Sequence, residues 1–437
     1  MPLKLTQNQL IKIKSISVTE LLFYLYIFSI VSFSGMKVGN VVSKLIGLVL
    51  IFYFLVYDVL RKNKKVYFFD ECKPLFLFLI AGLLSGFGAK DQVIYLTRLT
   101  TVIQLGVFFV IGYSIVRNYD IEVEHLFYLI IFSTCFVFLQ GIIFSSTASA
   151  HLVDERLASA QGNANTLANF GAFSFLFLIY LFLQQKNKLQ KFFIFSLLLF
   201  VVYGILETES RKGMLLIPII VFVYLFFQSV YHYSITNNKK LYLIKISMVL
   251  FGLLGLFGLG IYIITQTQYF ERFQQLSMFL ELQSGGRSSA FKNIIDYSTY
   301  ERRQFIKYAI AMWKDHFWFG VGLDNFRNVI NEYWISSRQT YSHNNYVEML
   351  STSGIVGTIT YYSLYFVIIL NLFKTLKLEN LSPKYRSLMH IFITGMFSLM
   401  IAELVIVSYY KKFFWLMFLI YSVYPNVIKE ETKVEMK

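Results

Sequence analysis

Long apolar runs recur from Leu21 to Ile428 with short polar segments between them, and this pattern limits the fold more than any other feature. A segment crossing a bilayer needs about 20 mostly apolar residues and must satisfy its own backbone hydrogen bonds, so the unit is an α-helix. Spans are predicted over Leu21–Gly35, Val41–Leu60, Pro74–Gly88, Val93–Val116, His125–Phe144, Thr166–Leu183, Phe192–Leu206, Gly213–Tyr231, Ile246–Thr265, Tyr346–Phe373, Leu388–Ser408 and Phe413–Ile428. Composition agrees: charged residues are 15% of the chain, against roughly 25% in soluble domains. The fold class is therefore an all-α polytopic integral membrane protein of about 12 transmembrane helices. Residues 1–265 hold spans one to nine, 266–342 form a large extracytoplasmic loop, and 343–437 hold the last three spans and a cytoplasmic tail. A polar, lysine-bearing segment without a small-residue cleavage site precedes the first span, which is predicted to be retained.

Basic residues set the orientation. With a cytoplasmic N-terminus, the inner segments hold 22 of the 40 Lys and Arg, the short outer connections hold 7 and the long loop holds 9. The excess inside follows the positive-inside rule, and both termini are predicted to be cytoplasmic. The net charge of +15 is mostly this bias, with attraction to anionic headgroups of the membrane lipids. Nucleic acid is not an expected partner, because the inner basic clusters are short and lie beside spans. Cys72 and Cys135 fall inside and within a span, so no disulfide is expected. The six histidines show no metal-ligand spacing, and no phosphate-cradling glycine loop or other cofactor motif is present, so neither metal nor cofactor is expected.

The loop from Gln266 to Ser342 is long enough to imply function. Arg303 to Phe317 reads as an amphipathic helix with Ile306, Ala309, Ile310, Trp313 and Phe317 on one side, lying on the outer leaflet or capping the bundle. Gly320-Val321-Gly322 ends it. His343-Asn344 then opens a helix containing Gly354 and Gly357. His343 and Gly354 lie about three turns apart, so they are expected on one helix face, with the glycines admitting a neighbouring helix. An imidazole at the membrane boundary can exchange a proton near neutral pH, although a histidine there can also simply anchor a helix end.

Six of the arginines on the predicted outer side are candidates. Arg98 lies a few residues into its span, where a charge is costly and marks a functional candidate. Arg156 precedes Gly162-Asn163-Ala164-Asn165, and Arg211 opens a span within Ser210-Arg211-Lys212-Gly213. Arg287 follows a glycine turn, and Arg302 and Arg303 begin the amphipathic helix. Guanidinium groups bind pyrophosphate through paired donors. The alternative for each is interfacial snorkelling or an ion pair with Glu207, Glu209 or Glu403.

Gly162 to Asn165, Ser210 to Gly213, Arg303 through Gly320-Val321-Gly322, and His343-Asn344 through Gly354 and Gly357 together resemble the O-antigen ligase/polymerase superfamily. That resemblance implies an enzyme moving undecaprenyl-pyrophosphate-linked glycans at the outer face of the bacterial inner (plasma) membrane. It implies that Arg211 and Arg303 hold the pyrophosphate and that His343 activates the acceptor. Arg302 and Arg287 remain alternatives for the loop arginine. Arg98, Arg156, Asn344 and Glu348 are further substrate-side candidates; Glu348, a turn beyond His343, either orients the imidazole or makes a helix-end ion pair. Arginines can neutralise a departing pyrophosphate without a metal, a histidine can deprotonate the acceptor hydroxyl, and direct attack inverts the anomeric carbon. A repeat-unit polymerase for capsule, exopolysaccharide or O-antigen, with a chain-length regulator as a possible partner, is the favoured reading. A ligase transferring finished glycan to lipid A core is second. A lipid-linked sugar transporter or flippase is third, because no internal repeat or midplane charge supports it.

Overall fold

Helix starts coincide with residues that can cap them. Ser17 accepts from the Glu20 N–H while Glu20 accepts from the Ser17 N–H, a reciprocal cap that starts α1 (Val18–Ser32). Asp91 and Asn187 cap α4 (Gln92–Tyr119) and α7 (Lys188–Glu207) in the simpler one-way manner. The computed structural model describes residues 16–33, 37–145, 164–236, 247, 297–334 and 339–435. The remaining helices are α2 (Lys37–Tyr53, continued as a π-helix over Phe54–Arg61), α3 (Cys72–Leu84), α5 (Val123–Ser145), α6 (Ala164–Gln184) and α8 (Arg211–Thr236). They continue with α9 (Tyr297–Asp315), α10 (Phe326–Tyr333), α11 (Asn345–Leu376), α12 (Pro383–Glu403) and α13 (Lys412–Glu435).

Among the described residues, eight helices are long and apolar enough to cross a membrane, and α1 and the Cys72–Gly88 segment are shorter apolar helices. The ninth expected span, Ile246–Thr265, lies outside the described residues apart from Ser247, as do residues 266–296 of the expected loop. The centre of α13 is buried all round: Trp415, Leu416, Met417, Phe418, Leu419, Ile420 and Tyr421 are all fully buried. A helix apolar on every side belongs in the middle of a bundle, and α4, α11, α12 and α1 pack around it. Apolar side chains on α2 and α7, such as Phe52, Phe192 and Phe193, instead face outward, as a lipid-facing surface requires.

The tenth expected span departs from the sequence reading. Gly354 has φ +64° and ψ −169°, which breaks α11 into two pieces. Asn345 Nδ2 donates to the Tyr362 hydroxyl at 3.1 Å, and the rings of Tyr346 and Tyr362 stack at 4.8 Å. A straight helix would separate residues 345 and 362 by about 26 Å. The piece 345–353 therefore folds back along the first turns of 355–376. Backbone groups freed at the break bond to the segment before α10: Ile355 N–H to Phe317 O (2.9 Å), Val356 N–H to Trp318 O (3.3 Å) and Val321 N–H to Ser351 O (2.9 Å). Gly320, with φ +68°, faces Gly354 across this joint, and a Cβ on either would collide with the opposing backbone. His343 and Gly354 thus do not share a continuous helix face, and Gly354 admits a turn of the loop rather than a neighbouring helix.

Helix α9 differs from its reading as well. Its buried face is Phe305, Ala309 and Met312, while Ile306, Ile310 and Phe317 are exposed. At 100° per residue, the helix carries beside this core face an exposed apolar stripe of Ile306 and Ile310 and a basic stripe of Arg303, Lys307 and Lys314. An apolar stripe edged by basic residues is the pattern of a helix lying at a membrane interface. Two apolar stripes in one sequence window cannot be told apart by periodicity, and the reading merged Ala309 of the buried face with Ile306 and Ile310 of the exposed one.

Candidate functional site

The site is built at the end of the bundle where α4 and α8 begin and α12 ends. Glu209 takes φ +47° to turn the chain into α8, and Ser210 Oγ accepts from the Gly213 N–H while donating to Asn165 Oδ1 at 2.8 Å. Asn165, from the first of the sequence segments singled out, therefore meets the Ser210–Gly213 segment where α6 and α8 start. Arg211 is the first residue of α8; its side chain is outside the described residues. Lys212 follows, and its ammonium donates to the Val405 carbonyl in the connection between α12 and α13.

Lys212 lies within electrostatic reach of both Arg302 and Lys411, so three cations converge here. Lys411 sits in the same 404–411 connection, where burial pushes its ammonium down to about 8. Arg302 is half-buried, and its Nε has no hydrogen-bond partner. One residue on, Arg303 is rotated by 100° into the exposed basic stripe of α9. Such a gathering of like charges is costly in the empty site and is relieved by a polyanion.

Arg98 is engaged from both sides. Its Nε and Nη2 donate to Asp324 Oδ2 at 3.1 and 2.5 Å, and its guanidinium lies 3.6 Å from the Tyr410 ring centroid. Asp324 accepts a second pair of bonds from Arg327 through Oδ1, at 3.1 and 2.5 Å. The ion-pair partner is therefore Asp324, which is 226 residues away, and not Glu207, Glu209 or Glu403. Asn325 completes the attachment: its Oδ1 accepts from the Asp91 N–H at 2.8 Å and its Nδ2 donates to Asp91 O at 3.2 Å. Gly320 to Asn325 is thus fastened to the start of α4.

His343 precedes the helix instead of beginning it. Asn344 is the cap, accepting from the Tyr346 and Val347 N–H groups, and His343 has φ +61°. Its ring lies 4.2 Å from Tyr341 and 6.2 Å from Phe305 of α9, centroid to centroid. Tyr341 in turn feels the charges of Arg302 and Arg327, which oppose the upward shift that burial gives its phenol. Tyr341 is thus the physical link between the cation cluster and the imidazole. Glu348 follows neither expected role: it is fully buried, its Oε2 accepts the Ser342 N–H at 2.8 Å, and its Oε1 has no hydrogen-bond partner. It fixes the backbone next to His343.

Two further residues hold the 404–411 connection. Asn345 Oδ1 accepts from the Ser408 and Tyr409 N–H groups at 2.9 and 3.2 Å. Buried Glu403 accepts from Tyr361 (2.8 Å), Tyr365 (2.6 Å) and the Ser408 hydroxyl. The expected span Leu388–Ser408 accordingly ends at Glu403, because residues 404–408 fold back over these acceptors.

Of the expected site residues, Arg98, Arg302, Asn344, Glu348 and His343 lie on this connected set of elements, with the α8 start that bears Arg211. Arg303 faces away, and Arg156 and Arg287 lie outside the described residues. Sequence reading missed Lys212, Asp324, Arg327, Asn345, Tyr410 and Lys411. Lys212 and Lys411 were visible as basic residues on the outer side, but Asp324 and Arg327 gave no signal beyond i,i+3 spacing.

Among the described residues, the helical bundle with these spans defines a multi-pass membrane protein that carries a charged, partly buried cluster at one end. Residues 195–362 match the family model described as O-antigen ligase. No curated protein matches the chain. Over that segment the chain is similar to O-antigen ligases, in line with the resemblance carried by its motifs. The segment includes Lys212, Arg302, Asp324 and His343, and ends at Tyr362, the residue that Asn345 reaches back to bond.

Proposed function

We propose that this protein polymerises undecaprenyl-pyrophosphate-linked oligosaccharide repeat units at the outer face of the bacterial plasma membrane. The observation that carries this reading is the convergence of Lys212, Arg302 and Lys411 beside a histidine, with Tyr341 between them. A lipid diphosphate supplies the polyanion that relieves their repulsion. In the reaction, an acceptor hydroxyl oxygen attacks the anomeric carbon, the bond from that carbon to the diphosphate oxygen breaks, and His343 takes the hydroxyl proton. Cations already in place neutralise the departing charge without reorganising, so no metal is required. Backside attack inverts the anomeric configuration. Arg211 belongs to this reading through its position at the start of α8, next to Lys212, and Arg302 replaces Arg303 as the loop arginine. Arg98 acts on the site through Asp324 and Tyr410. Arg156 and Arg287 belong to this reading through their predicted side of the membrane.

Polymerisation is tested with purified protein in lipid nanodiscs given one lipid-linked repeat unit. A ladder of products rising by one repeat is expected. A ligase, which the matched family's description favours, gives a single transfer to a lipid A core acceptor and no ladder. Movement of the lipid-linked glycan across the bilayer without a new glycosidic bond would overturn both readings in favour of transport.

Orientation has its own measurement. Trp318 is 64% exposed on the loop side, and Asn63 is exposed at the other end of the bundle. In intact cells a membrane-impermeant thiol reagent should label Trp318→Cys and not Asn63→Cys. The reverse pattern would put the site inside and sink the reading.

A further inference from the structure

We infer that the stripe Tyr300, Gln304 and Tyr308 of α9, with Trp334 after α10, is a sugar-binding subsite that receives the acceptor glycan next to His343. This inference rests on the glycosyl-transfer reading above. At 100° per residue, residues 300, 304 and 308 fall on one stripe of α9, apart from the core face and the basic stripe. Trp334 closes that stripe: its ring lies 6.0 Å from Tyr308, stacked at 19°, and 6.3 Å from Tyr300, edge to face. Tyr300 is 42% exposed, and Gln304, Tyr308 and Trp334 are each part-exposed. Tyr308 and Trp334 rest with one side against the core cluster of Phe305, Ala309 and Met312 and leave part of their surface open, while Tyr300 stands outside that cluster.

The chemistry of this surface matches a pyranose. A sugar ring presents a face of C–H bonds, slightly electropositive, which suits the electron-rich face of a tryptophan or tyrosine. Its edge carries neighbouring hydroxyls, and one glutamine amide offers both a donor and an acceptor to such a pair. Position supplies the rest of the argument. The buried ring of Phe305 lies 5.7 Å from Trp334 on one side and 6.2 Å from His343 on the other, which places the stripe one ring away from the imidazole. The cation cluster lies on the other side of α9, reached through Arg302. Donor phosphates and acceptor sugar thus approach His343 from different sides of the same helix, as transfer between them requires.

The test uses the full chain in nanodiscs and, as probe, the oligosaccharide released by mild acid from the producing cell's lipid-linked glycan. Saturation-transfer NMR measures probe binding to wild type, Trp334→Ala, Trp334→Phe and Tyr300→Ala, alongside melting temperature and donor-lipid binding. Loss of one stacking ring should weaken the probe roughly fivefold to tenfold in Trp334→Ala. Trp334→Phe, which keeps a π face, should retain most of the affinity. Tyr300→Ala removes an exposed ring that the core does not need, so it should weaken binding without lowering the melting temperature. Unchanged probe affinity in Tyr300→Ala and Trp334→Ala overturns the subsite. So does an affinity loss that appears only together with a lowered melting temperature. If those variants still elongate glycan, only the subsite fails; if wild type forms no glycosidic bond, the glycosyl-transfer reading fails with it.

Discussion

Replacing Arg302 by alanine should lower glycan transfer by about 10²–10³-fold, the usual loss when a preorganised group that stabilises developing charge is removed. Arg303→Ala should stay close to wild type. The two residues are adjacent, yet one faces Lys212 and Tyr341 while the other lies in the exposed basic stripe of α9. Arg302→Lys should rescue poorly, because a compact ammonium cannot offer the paired donors of a guanidinium. Initial rates with lipid-linked repeat unit in nanodiscs decide the matter. Full activity in Arg302→Ala with loss in Arg303→Ala would invert the assignment and show that α9 turns over in the working enzyme. A pH dependence should accompany this result. Burial holds the Lys411 ammonium at about 8, so donor affinity should fall as pH rises through that value and this cation discharges. Lys411→Arg, which remains charged, should remove that fall.

His343→Ala should cut the transfer rate by about 10²–10⁴-fold, the range of a general base, while donor binding changes little. The imidazole stands beside the rings of Tyr341 and Phe305, a setting that suits contact with an incoming sugar hydroxyl more than with phosphate. His343→Gln separates two roles, since an amide can orient a hydroxyl but cannot accept its proton at neutral pH. Near-normal turnover of the glutamine variant would reduce His343 to positioning. Loss of donor binding in the alanine variant would move it into the diphosphate site. Glu348→Gln serves as the control: it keeps an acceptor for the Ser342 N–H, so the turn bearing His343 should hold and activity should persist.

Much of the architecture was legible because apolar length and capping chemistry are local properties. The runs that became α4, α5, α6 and α12 begin within a few residues of where their sequences predict. Two departures have one cause. Gly354 read as a small residue inside an apolar helix, and Ser408 as the end of an apolar run, yet both mark places where the chain folds back. Such reversals depend on partners far away in sequence, the 317–321 turn for the first, and Asn345 with Glu403 for the second. The same holds in the site. Arg98 stood out because a charge in an apolar run is expensive, but nothing near it named Asp324. Arg302 and Arg303 could not be separated before the rotation of α9 about its axis was known. Asn165 and the 210–213 segment were found separately, and the Ser210–Asn165 bond brings them together.

The joint at Gly354 has a mechanical consequence. The segment 317–321 covers the broken helix and lends it hydrogen bonds at three backbone positions. Lifting that segment would leave those groups bare at the edge of an apolar bundle, at about 1–3 kcal/mol for each unsatisfied group. Asn325 and Asp324 add side-chain fastenings to the start of α4. This cover is a keystone, not a hinged door: the span beneath it is incomplete without it. If the substrate is the lipid-linked glycan proposed above, it should slide in along the plane of the membrane, past the outer stripe of α9, and not drop in from above.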